Sequence, residues 1–87
     1  ILLDFDQNKS EAWITLTDHF GANVKQPPLL EIAKIIGEHV NISVNRNARR
    51  RKSVLIKWYH DNWSLIKPYI GNFTVNDETV TLIKPLV

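Results

Sequence analysis

Three apolar stripes at helical spacing, then a short stretch of alternation, lay out the elements of this chain. Ala12, Trp13, Leu16 and Phe20 recur three and four apart, which makes one side of a helix apolar. Asn8 stands three residues before Glu11, a capping-box spacing, and Gly21 is a natural stop, so a first helix is expected over residues 9–20. Leu29, Ile32, Ala33, Ile36 and Val40 form the second stripe, widened by Leu30 and Ile35. Pro27 and Pro28 suit first helical positions, where a missing N–H costs nothing, so a second helix over 28–39 should be buried on more than one side. The β-branched run at 41–45 reads as a turn or extended link, with Ser43 or Asn45 capping the next helix.

The third stripe is Ala48, Leu55, Trp58, Tyr59, Asn62 and Ile66, which predicts a long helix over 45–63. Pro68 must end or kink any continuation, leaving 64–70 as a final turn or short extra helix that Gly71 closes. Phe73, Thr74 and Val75 then face 79–83 across Asn76, Asp77 and Glu78, a hairpin pattern. Phe73, Val75, Val80 and Leu82 would share its inner face, with Thr74, Thr79 and Thr81 outside. At the other end, 1–5 alternates loosely, and a short strand is expected from Leu2 to Phe5. The predicted class is α+β, with three helices and a C-terminal hairpin.

Charge changes the picture at one place. The net charge is only +2, yet five of the eleven Lys and Arg fall between Arg46 and Lys52. On a helix turning about 100° per residue, Arg46, Arg49, Arg50, Ser53 and Lys57 lie opposite the apolar stripe. Arg51 and Lys52 lie on its flanks, where long stems can follow the apolar surface and leave the charges in water. Cations at a helix start oppose the helix dipole and one another, so something outside the fold is expected to repay that cost.

The remaining composition bounds the chemistry. Eighty-seven residues with 44% apolar content make one small domain, spanning 1–87. With no Met, the chain reads as a domain cut from a longer protein. There is no Cys, which excludes disulfides and thiolate chemistry. No apolar run approaches the roughly 20 residues of a membrane span, and the opening ILLDFD is no secretory signal. His19, His39 and His60 have no metal-ligand spacing, and His60 and Asp61 are adjacent on a helix and so diverge. No glycine-rich phosphate loop or nucleophile elbow is present. Trp13, Trp58, Tyr59 and Trp63 are spaced as core. A non-enzymatic domain with no cofactor, membrane or small-molecule substrate is expected.

Between Leu29 and Leu55 the chain resembles a winged helix-turn-helix domain. In LEIAKIIG the small Ala33 sits four residues before Gly37, as it does where helices pack closely and a glycine starts the turn. Val44 in the link and Leu55 in the next helix fit in kind. The connection from Gly37 to Asn45 is longer than the compact turn of bacterial repressors and is more like the looser turn of eukaryotic winged helices. A second resemblance covers the same region. PLLEIAKII, NISVN and RKSVLIKW look similar to a SAP-like helix, extended link and helix, without that family's usual glycine in the link. Both resemblances imply DNA binding, and the first implies that the hairpin is a wing touching phosphate through Asn76 and the neighbouring Thr residues. Asp77 and Glu78 at its tip argue against a wing that enters a groove.

The expected function is therefore that of a double-stranded DNA-binding module of a transcription, chromatin or replication protein. Its contacts would be Arg46, Asn47, Arg49, Arg50, Arg51, Lys52, Ser53 and Lys57. A helix fits the major groove, Arg takes guanine through a bidentate pair, and Arg and Lys neutralise phosphates. The alternative is a winged helix turned to self-association or to docking an acidic protein. Arg49-Arg50-Arg51-Lys52 also reads as an import signal. The expected location is nuclear in a eukaryote and cytoplasmic otherwise.

Overall fold

A computed structural model describes residues 7–86. The expected strand from Leu2 to Phe5 lies outside them. The class is α+β. Among the described residues there are five α-helices and a C-terminal two-stranded antiparallel hairpin, arranged as a small helix-turn-helix-like winged fold.

A 3-10 turn, Gln7–Lys9, leads into α1, Glu11–Phe20. The expected cap at Asn8 is thus inside the 3-10 turn, and Ser10 holds the N-cap position without a side-chain cap. Its hydroxyl is used elsewhere: Ser10 is buried, and Oγ lies 2.9 Å from His60 Nδ1. Glu11 is also diverted from capping. It accepts from Trp63 Nε1 and Lys67 Nζ, each at 3.1 Å, and these two donors hold its carboxyl below the usual range.

α2, Gln26–Val40, buries Leu29, Ile32, Ala33 and Ile36. Gly37 does not start the turn as the resemblance implies. The helix runs one turn further and ends on Asn41, which takes the left-handed conformation at φ 65°. Gly37 is needed because the chain folds back over it. The Ile42 amide donates to the Gly37 carbonyl at 2.7 Å. A Cβ at 37 would stand 2.4 Å from the Ile42 carbonyl oxygen.

The expected third helix is not continuous. It divides into α3, Arg46–Arg50, and α4, Lys52–Asp61, joined at Arg51, whose backbone is extended at φ −124° and ψ 128°. α5, Trp63–Ile66, and a 3-10 segment, Lys67–Asn72, complete the helical part. α4 packs against α1 and α2. Its Leu55, Trp58 and Tyr59, with Ala48 of α3 and Ile66 of α5, are buried as the third stripe predicts. The Tyr59 hydroxyl donates to the Leu29 carbonyl, tying α4 to α2. Burial pushes this phenol well above its ordinary pKa.

β1, Phe73–Asn76, pairs with β2, Thr79–Leu82, so the loop is two residues rather than the expected three. Asp77 takes φ 59° at its first position. Phe73 is fully buried, and Val75 and Val80 are half-buried on the same face. Leu82, expected inside, is 46% exposed, while its partner Phe73 is fully buried at the base of the hairpin. β2 lies against α2, and His19 of α1 meets the Phe73 carbonyl.

Candidate nucleic-acid interface

α3 is started by its own sequence, and the corner that it makes with α4 is tied down by the α1–α2 connection and the start of α2. Asn45 caps α3 as predicted, with Oδ1 accepting from the Ala48 amide at 2.8 Å. Ala48 is completely buried, so a methyl group faces the core while Arg46, Asn47, Arg49 and Arg50 stay exposed. Nothing in the sequence breaks a helix at Arg51, since neither Gly nor Pro is near. The break keeps Arg51 itself satisfied: its amide donates to Asn47 and its carbonyl accepts from Leu55, both at 3.0 Å.

Three tertiary contacts then fix the corner. Gln26 Nε2 donates to the Arg49 carbonyl at 2.8 Å. Arg49 Nε donates to the Val44 carbonyl at 3.0 Å. Lys52 Nζ donates to the Val24 carbonyl at 2.7 Å and stands 5.4 Å from the centre of the Trp13 ring. These contacts outweigh local helix propensity, and a bend also separates cations that one straight helix would stack three and four apart.

The eight predicted site residues are therefore not equivalent. Arg46, Asn47, Arg50, Arg51 and Ser53 are exposed, and no hydrogen bond or ion pair engages their side chains among the described residues. Arg49 is exposed and held through Nε, which leaves its two terminal nitrogens outside that bond. Lys52 is half-buried, with its ammonium committed to Val24 and Trp13. Lys57 lies beyond the corner on α4 and is bonded to Asp61 at 2.9 Å.

The cations divide into two groups. The chain has four arginines, and all lie between 46 and 51. The ion pairs among the described residues are Lys25–Glu78, Lys57–Asp61 and Lys67–Glu11, and none uses an arginine. The four guanidinium groups are thus exposed, close in sequence and free of the acids of the described chain.

Beside the corner is a hollow of about 410 Å3, lined by Lys34 and Glu38 of α2, residues 42–44 of the link, and Arg49. Sequence reasoning missed Lys34 and Gln26. Lys34 lies on the polar side of α2, and no pattern in one sequence shows which loop that side will meet. Gln26 reads in the sequence as part of a connecting turn, and its bond to Arg49 depends on the break at Arg51.

The hairpin adds little positive charge. Its tip carries Asp77 and Glu78, and Glu78 reaches Lys25 only at 3.9 Å with both side chains exposed, a weak pair. Asn76, Thr74, Thr79 and Thr81 are exposed. Among the described residues no three His, Asp or Glu side chains converge as metal ligands would, and no helix is long and apolar enough to cross a membrane. His39 stacks edge-on to Tyr69 with ring centres 5.0 Å apart. Trp63 is buried, as its core spacing predicts.

Compared with protein families, curated proteins and solved structures, the chain matches none.

Proposed function

We propose that this chain is a non-enzymatic module that binds double-stranded DNA, in a protein of transcription, chromatin or replication. It acts in the nucleus of a eukaryote or in the cytoplasm of a prokaryote. The contact is the corner between α3 and α4. Arg46, Arg50 and Arg51 meet phosphates, Arg49 assists through its terminal nitrogens, and Asn47 and Ser53 supply neutral hydrogen bonds. One observation carries the reading: all four arginines are exposed together while the acids that pair with a cation take lysines instead.

Cations that a fold does not neutralise are available to a polyanion, and each phosphate met releases counterions. With three or four phosphates engaged, log affinity should fall against log salt with a slope of roughly −3 to −3.5. Fluorescence anisotropy of a labelled duplex, read across a salt series, tests this directly. The combined change Arg46→Ala, Arg50→Ala and Arg51→Ala should remove most of the slope and the binding. Undetectable binding at low salt by the folded protein would refute the proposal.

A second reading has its own support. Leu82 and Ile83, adjacent at the end of the hairpin, are 46% and 53% exposed, as suits a surface that meets protein. Self-association or an acidic protein partner is the function if sedimentation shows a dimer and duplex is ignored.

A further inference from the structure

We infer that the arginine corner grips the sugar–phosphate backbone of duplex DNA and does not read base sequence. This rests on the DNA-binding proposal and narrows its ligand to the feature that all duplexes share. A recognition helix reads bases by presenting three or four side chains, over successive turns, to the floor of the major groove. Neither the elements that carry the corner nor the hairpin offers such a row.

α3 has five residues, about 7.5 Å of helix, and then the chain turns away at Arg51. α4 is long enough, at ten residues, but its exposed side chains are Ser53, Lys57, His60 and Asp61. Lys57 is partly offset by Asp61 at 2.9 Å, an exposed pair one turn apart, and His60 meets Ser10 at 2.9 Å. A carboxylate on that side would also face the phosphates flanking the groove, and like charges repel. The hairpin fares no better, because its tip is Asp77-Glu78.

The corner itself is a compact group of cations held on a fixed backbone. Gln26, through the Arg49 carbonyl, and Lys52, through the Val24 carbonyl, fasten it on both sides of the break. Such a group suits phosphates, which repeat at fixed spacing whatever the bases are.

The test uses the whole chain and labelled duplexes of equal length, one all A·T, one all G·C and one mixed. Affinities should agree within about threefold, in the micromolar range or weaker at physiological salt, as for sequence-independent binding. Arg50→Lys and Arg51→Lys separate the two kinds of contact. A phosphate accepts Lys as a point charge, so these variants should keep affinity within about threefold on every duplex. A guanine edge is held best by the planar fork, which Lys reproduces only in part, so a base contact would show as a loss confined to the G·C duplex, of up to roughly 150-fold. Lys57→Ala should leave all three affinities unchanged.

A preference above about tenfold for one duplex, abolished by Arg50→Lys or Arg51→Lys, would overturn the inference and leave the DNA-binding proposal standing. Failure to bind any of the three duplexes would overturn both.

Discussion

Replacing Gly37 with Ala should damage the fold although the new side chain is one methyl group on a helix. The added Cβ would lie 2.4 Å from the Ile42 carbonyl oxygen and 3.7 Å from the Trp58 ring. Relieving the first contact to an ordinary distance of 3.4 Å moves the link by about 1 Å, a backbone shift of the overpacking kind that costs about 1–3 kcal/mol. That shift also strains the bond from the Ile42 amide to the Gly37 carbonyl, worth about 1 kcal/mol. Against this, Ala is favoured over Gly within a helix by about 1 kcal/mol. The net loss should be about 1–3 kcal/mol, which in a domain of this size lowers Tm by roughly 5–20 °C. Gly71→Ala is the internal control. A methyl group there would meet open space and the backbone has no positive φ, so its effect should stay within about 0.5 kcal/mol or be stabilising. Urea and thermal unfolding followed by circular dichroism measure both. If Gly37→Ala proves as stable as the parent, the close approach of 42 to 37 is wrong, and with it the path of the link that presents Asn45 and the arginines.

Three further outcomes are expected from the same structure. Asn45→Ala removes the cap of α3 and should cost about 1 kcal/mol in urea unfolding, while Ser43→Ala, which caps nothing, should cost much less. Lys52→Met keeps the aliphatic stem but loses the bond to Val24 and the Trp13 contact; it should destabilise by about 1 kcal/mol and leave the salt slope of DNA binding unchanged, as anisotropy would show. Tyr59 sets an alkaline limit. Its folded pKa is raised by burial, so the stability it contributes is fully present below the unfolded value near 10 and lost as pH climbs above it, by about 1.4 kcal/mol per pH unit. In a Tyr69→Phe background, phenolate absorbance should appear only as the fold opens, and Tyr59→Phe should remove this alkaline sensitivity.

Much of the fold was legible because burial dictates it. The stripes through Leu16, Ile32, Ile36, Leu55 and Tyr59 are helical-period signals, and all five are fully buried. The cap at Asn45 and the presence of a hairpin after Phe73 arise from short-range chemistry, although its register, set by a loop one residue shorter than expected, did not follow from the pattern. The misses share a different cause. Asn8 has the better capping pattern, yet Ser10 occupies the N-cap position because Glu11 and Ser10 serve contacts 50 or more residues away. The break at Arg51 has no local signal; it depends on Gln26, Val24 and Trp13 meeting the corner in space. The candidate site divided along the same line. Its cluster of arginines was visible in the sequence, as was an Asp61 placed one helical turn after Lys57 to pair with it; that Lys52 turns to Val24 and Trp13 was not, because those partners arrive only with the fold.

The most direct measurement of the central claim is a map of backbone amide shifts in the folded protein titrated with unlabelled duplex DNA. The largest shifts should fall on residues 45–53, weaken together as salt is raised, and spare the exposed side of α1 around Ile14. Shifts centred on Leu82 and Ile83, with 45–53 unmoved, would contradict it.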